Sequence, residues 1–169
     1  MSIEELIRAR RSVRGYRPDP VPEDVLLRVL EAGRLAPTAC NLQAFRLIVV
    51  TDPETRARMR EVYPRDWFHR APVILVGCAE PARAWTRGDG WNAAEFDLAI
   101  VMDHVILAAT EAGLGTCWVC AFDVDKVKAI LRVPPAVRVV AMTPLGYASE
   151  SPQAVPRKRL EELVRREHW

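Results

Sequence analysis

The apolar positions of this chain fall into two rhythms, one helical and one extended. Ile3, Leu6 and Ile7 share one helix face, with Ser2 and Glu5 spaced as a capping box. After Pro22-Glu23-Asp24, the residues Val25, Leu26, Val29 and Leu30 repeat the helical spacing, and that helix must stop before Pro37. Phe45–Val50 is a β-branched run and predicts a strand. Asp52-Pro53-Glu54 opens a helix carried to about Tyr63, and residues 71–78 predict a second buried strand. Residues 115–122 and 137–147 predict a third and a fourth strand, separated by a helix that Asp123 caps and that runs through Leu131. A last helix runs from Leu160 to the end.

The longest periodic stretch is 92–113, with Asn92 placed to cap it and Gly113 to stop it. Apolar residues cover most of its circumference, yet Glu95, Asp97, Asp103, His104 and Glu111 exclude a membrane span. Such a helix belongs at the centre of a core, shared with a second subunit. Between it and the second strand lies a loop, 81–90, with Trp85 and a Gly-Asp-Gly ending, a candidate lid or dimer arm. Strands and helices alternate without a regular βαβ series. The expectation is therefore an α+β fold with a central, mostly antiparallel sheet flanked by helices, in one domain over 1–169.

Composition narrows the partners. A net charge of +2 over 169 residues excludes the chain as a whole from nucleic-acid binding. Four cysteines are too few and too scattered for a disulfide scaffold, and the polar amphipathic start is no signal peptide, so the expected compartment is the cytoplasm. Cys117 and Cys120 form C-x-x-C, but inside an extended run their side chains point to opposite faces, and no second Cys/His pair completes a zinc site. Both are expected to be small core residues. His104 is expected to be a satisfied core or interface histidine. No nucleophile-base arrangement, Walker A sequence or Gly-x-Gly-x-x-Gly is present.

One local feature stands out against this plain background. Arg8, Arg10, Arg11 and Arg14 fall within seven residues, with Ser12 among them. Guanidinium forks and a hydroxyl are donors suited to phosphate, although a solvated helix end has the same composition.

The segments Arg10-Arg11-Ser12-Val13-Arg14, Ala36-Pro37-Thr38-Ala39-Cys40-Asn41-Leu42-Gln43, Ala112-Gly113-Leu114-Gly115-Thr116-Cys117-Trp118 and Leu145-Gly146-Tyr147 occur in the order and spacing of the FMN-dependent nitroreductase family, which the chain resembles end to end. The resemblance implies an intertwined homodimer with FMN at the subunit interface. It also implies a ping-pong cycle in which hydride passes from NAD(P)H through flavin N5 to a nitroaromatic, quinone or similar small acceptor. A flavin-binding sensor, store or partner without efficient NAD(P)H turnover is the alternative, motivated by the short 81–91 segment. Residue by residue, Arg10, Arg11 and Ser12 match phosphate and ribityl ligands. Arg14 matches a cation near the N1/O2 side that stabilises reduced flavin. Pro37 and Thr38 match a loop against the isoalloxazine, Asn41 and Gln43 match ring-edge or ribityl partners, and Cys120 and Ala121 match positions whose amides approach the ring. Arg157 matches a C-terminal basic residue that closes on the phosphate. No side-chain catalyst and no metal are implied. The chain departs from the family in carrying Ala44-Phe45 after the glutamine and Cys120 in place of a glycine.

Overall fold

A computed structural model describes all 169 residues. Four strands form one sheet in the order β1-β2-β4-β3, with β1 at Phe45–Val50, β2 at Val73–Ala79, β3 at Leu114–Thr116 and β4 at Arg138–Tyr147. Every pairing is antiparallel. β2 is buried along its whole length because both of its faces are covered. On one face Val73 and Leu75 pack with Leu26 and Val29 of helix α2 (Glu23–Arg34) and Val105 and Ala109 of helix α5 (Ala94–Glu111). On the other, Ile74, Val76 and Cys78 pack with Met59, Phe68 and Val127. Phe68 belongs to α4 (Asp66–Arg70) and Val127 to α6 (Val124–Leu131).

The first helix, α1 (Ile3–Ala9), carries the anticipated capping box: Ser2 Oγ accepts from the Glu5 amide at 3.2 Å and Glu5 Oε2 accepts from the Ser2 amide at 2.7 Å. The segment from Asp52 is shorter than its periodicity indicates. It is helical only over α3, Pro53–Arg58, then tightens into a 3₁₀ turn at Met59–Glu61. Helix α5 begins one residue later than expected: Ala93 is its cap, and Asn92 accepts from the Ala94 amide at 3.1 Å. The C-terminal helix, α7, is only Leu160–Leu163.

The third strand is also shorter than expected, ending at Thr116 rather than at residue 122. Pro144 supplies the reason. Met142 exchanges two backbone hydrogen bonds with Val119, both 2.9 Å. Residue 144, two positions on, faces the same way and has no N–H to donate. The ladder fails there, Cys117 takes a 3.1 Å bond from its amide to Thr143 Oγ1 instead, and pairing resumes only as a bridge at Val119. The break turns Trp118 and Cys120 outwards, so Cys120 is exposed rather than a core residue, while Cys117 stays buried.

Candidate functional site

Three of the four motif segments meet at one edge of the sheet. Leu114, Gly115 and Thr116 pair with Tyr147, Gly146 and Leu145. The basic segment then lies against β3: Ser12 bridges Thr116 in parallel, and the Val13 amide donates to Thr116 O at 2.8 Å. Farther on, Arg17 N donates to Tyr147 O at 2.9 Å and Ser149 N to Gly15 O at 3.0 Å. Val13 can sit this close only because position 115 is glycine, since a Cβ there would lie 2.9 Å from Val13 Cβ and Cγ1. Tyr16 seals the strap from behind, its buried hydroxyl donating to Val13 O at 2.8 Å.

This anchoring separates the arginines. Arg8 is ion-paired with Glu4 at 2.8 Å and Arg17 with Asp19 at 2.9 Å, both in solvent. Arg10, Arg11, Arg14 and Arg157 have no carboxylate on their guanidiniums. Arg11 folds back onto the carbonyls of Arg8 and Arg10 at the end of α1. Arg14 lies over the Trp67 ring, 5.9 Å from its centroid, and Arg157 bonds only Val155 O, at 3.0 Å, and Pro156 O, at 3.4 Å. All four, with Ser12, Gln153 and the Arg8–Glu4 pair, line an open cleft of about 940 Å³ between the strap and the C-terminal segment. A smaller recess of about 150 Å³ continues from Arg10, Arg11 and Ser12 to Asp103 and Ile106 of α5, Cys117 and Trp118. Burial holds the Cys117 thiol above its ordinary pKa, although Arg14, Arg10 and a hydrogen bond with Ser12 act the other way.

The fourth motif segment is elsewhere. Thr38 precedes a 3₁₀ turn, Ala39–Asn41, and its Oγ1 accepts from the Gln43 amide at 3.0 Å. Cys40, Asn41 and Gln43 all have left-handed backbone, with φ of 51°, 53° and 51°, a conformation that costs a side-chain-bearing residue about 1 kcal/mol or more. Asn41 and Gln43 are exposed, and Gln43 Nε2 donates to Asn41 O at 3.2 Å. The turn is tied to α5 by Asp97, whose Oδ1 accepts from the Ala39 amide at 3.0 Å. Pro37 and Thr38 line a third cleft, about 350 Å³, with Trp85, Trp91, Phe96 and Asp97. Neither basic recess contains a residue of this loop. Cys120 and Ala121 line none of the three clefts; Cys120 Sγ accepts from Trp118 Nε1 at 2.8 Å on the exposed turn.

Two residues that tie these segments in place were not singled out by the sequence. Glu150 accepts from the Arg14 amide at 2.6 Å and brings the tail back over the strap, a contact across 136 residues that no local pattern announces. Asp97 had a signal, being an acidic residue in the most apolar helix of the chain. His104 is satisfied on its own helix, with Nδ1 3.0 Å from Ile100 O. No group of His, Cys, Asp and Glu is placed to hold a metal ion, and no helix is long and apolar enough to cross a membrane.

The Nitroreductase family model matches residues 7–63 and 61–147. The chain is 31% identical to a Thermus thermophilus "NADH dehydrogenase", over 92% of this chain and 91% of that one. It is equally 31% identical to a "Putative NADH dehydrogenase/NAD(P)H nitroreductase" of Methanothermobacter thermautotrophicus, over 90% and 80% of the two chains. Among solved structures, a nitroreductase family protein from Clostridium difficile 630 superposes over 100% of both chains with a TM-score of 0.93 at 32% identity. The Vibrio harveyi NADPH:FMN oxidoreductase complexed with NAD⁺ shares the fold, with a TM-score of 0.87 at 23% identity over 98% of this chain and 77% of that one.

Proposed function

This chain belongs to the nitroreductase family, and we propose that it is an FMN-dependent oxidoreductase that passes electrons from NAD(P)H to a small nitroaromatic, quinone or similar acceptor in a ping-pong cycle. The observation that carries the assignment of FMN to this site is the basic cleft. It has four guanidiniums free of carboxylates beside a serine hydroxyl, a donor set for a phosphate monoester. FMN, when bound, supplies the hydride chemistry that relays electrons between nicotinamide and acceptor. The protein's part is to hold and to orient. Arg10, Arg11, Ser12 and Arg157 supply donors to the phosphate and the adjoining chain. Arg14 supplies positive charge where the reduced ring gains negative charge. The backbone bonds of the strap to Thr116 and Tyr147 fix the main chain that carries Ser12 and Arg14 before any ligand arrives, so little backbone ordering remains to be done there on binding.

The loop carrying Pro37, Thr38, Asn41 and Gln43 opens on a different cleft from the arginines, so one protomer holds two half-sites rather than one site. A homodimer in which each cofactor takes its phosphate ligands from one subunit and this loop from the other accounts for that separation. Two further observations support it. Phe96 is 59% exposed on a helix otherwise built for a core, and the whole segment 153–169 is solvent-exposed, including Leu160, Leu163 and Trp169. Apolar surface of this kind on a tail that packs on nothing is what a partner subunit covers.

The test is a charge swap inside and just outside the unpaired set. Arg10→Glu removes a charge-assisted hydrogen bond and adds repulsion, and is expected to weaken FMN binding about 100-fold or more. Arg8→Glu, at a position on the same cleft whose charge Glu4 already balances in solvent, is expected to leave FMN affinity within about threefold. Equal losses in the two variants would remove the cleft from the account.

A further inference from the structure

Three arginines of this chain lie over aromatic rings, and they are not held alike. Arg17, 5.2 Å from the Tyr147 ring centroid, is also ion-paired with Asp19 at 2.9 Å. Arg87, 5.1 Å from the centroid of Trp91, is also ion-paired with Asp89 at 2.8 Å. Arg14 lies 5.9 Å from the centroid of Trp67, and no carboxylate reaches its guanidinium. Asp66, next to Trp67 on α4, is committed to Arg60 at 2.8 Å. Glu150 accepts from the Arg14 amide at 2.6 Å, not from its side chain. Arg14 is thus held at both ends, its main chain by a carboxylate and its side chain by an indole.

The two kinds of anchor differ in what they leave behind. A carboxylate that anchors a guanidinium also cancels its charge and occupies its N–H fork. An aromatic face holds the cation through the ring quadrupole and leaves both the charge and the N–H edge available. Trp67 is itself fixed in place. It is half-buried, and its ring meets Tyr63 at 5.8 Å and the fully buried Phe68 at 5.9 Å, both edge to face at 81°. It also packs against the cluster of Val13, Tyr16 and Ala71, so the ring is seated on the same segment that carries Arg14. Trp67 lines none of the three clefts, and it therefore acts on a ligand only through Arg14.

We propose that Trp67 is a positioning residue for electron transfer: it holds the Arg14 guanidinium at the basic cleft with its charge intact, and thereby raises the reduction potential of bound FMN. The inference rests on the proposed function, in which Arg14 supplies positive charge where the reduced ring gains negative charge. A cation there favours reduced over oxidised flavin, and the bias grows as the cation is placed more narrowly. An Arg14 released from Trp67 spends part of its time turned to solvent, where water screens its charge.

The test is the two-electron midpoint potential of FMN bound to the full chain, read by anaerobic equilibration with reference dyes. Trp67→Leu keeps apolar bulk and removes the aromatic face. It is expected to cut the preference for reduced over oxidised FMN about tenfold, a fall of about 30 mV for a two-electron couple. Trp67→Phe keeps a weaker face and should cut that preference about threefold; it carries the test if the leucine variant does not fold. Arg14→Met should lower the potential at least as far as Trp67→Leu does, and in its background neither change at Trp67 should lower it further. A potential that the Trp67 variants leave unmoved would overturn the proposal, including the case in which oxidised and reduced FMN lose affinity equally. An equal fall in the Arg14→Met background would also overturn it, by showing that Trp67 acts through packing and not through the guanidinium. A wild-type chain that binds no FMN would refute the proposed function and this inference with it, whereas bound FMN of unmoved potential refutes this inference alone.

Discussion

Replacing Gly115 by alanine probes the joint between the fold and the cofactor cleft. The added Cβ would sit 2.9 Å from Val13 Cβ and Cγ1 and 3.0 Å from Cγ2, all on a β-branched side chain that is 6% exposed and has little rotamer freedom. Val13 cannot swing away, so the strap must lift from β3, stretching the 2.8 Å bond from its amide to Thr116 O. Overpacking of this kind costs about 1–3 kcal/mol. Val13→Ala alone removes two buried methyl groups, about 1.6 kcal/mol at 0.8 each, before any cavity cost. In the double variant Val13→Ala/Gly115→Ala the new methyl occupies space that the valine methyls vacated, so its cost should be close to that of Val13→Ala alone. The coupling between the two sites is then about 1–3 kcal/mol, favourable to the pair. Urea unfolding of the four proteins measures it, and FMN titration of the same samples reads the function. Gly115→Ala should weaken FMN about tenfold by displacing Ser12 and its flanking arginines, and Val13→Ala should restore most of that loss. Additive stabilities, or full FMN affinity in Gly115→Ala, would refute the claim that the strap is seated by this one close approach.

Cys117 and Cys120 do not form a working dithiol on this account, one being buried and the other on the exposed turn; Cys117→Ser should keep NADH-driven turnover within about threefold, checked by steady-state assay. Alkaline pH should destabilise the fold. Burial pushes the Cys78 thiol up to about 11 from 9.0, so the folded state holds that proton more tightly than the unfolded chain. Its contribution is complete below pH 9 and is lost as the pH rises to about 11, amounting to at most about 2.7 kcal/mol. Tyr16 and Cys117 are raised in the same direction, also mainly by burial, and steepen the loss. Chemical unfolding between pH 7 and 11 should show the decline, and Cys78→Ala should make it shallower.

Where the local chemistry was one-sided, the chain could be read directly. The capping box of α1, the all-apolar run of β2 and the apolar girth of α5 each admit one structure, and each formed. The third strand was misjudged because its end is decided by Pro144, twenty-eight residues after Thr116, and a missing N–H acts only once the two segments are paired. The same break exposes Cys120, which the alternation of the run had suggested was core. Within the arginine cluster, the residue types could not tell a bound guanidinium from an idle one. That distinction needed Glu4 and Asp19 in place. The tie from Asp97 to the strained turn at 40–43 was hidden for a similar reason: it joins a helix to a loop 58 residues away through a single amide.

The measurement that bears most directly on the central claim is anaerobic mixing of the FMN-loaded protein with NADH or NADPH, followed by a quinone. The expected result is retained FMN, prompt bleaching of its absorbance by at least one nucleotide, and full recovery when quinone is added after the nucleotide is gone. Protein that takes up no FMN, or bound flavin whose absorbance neither nucleotide changes, would contradict it.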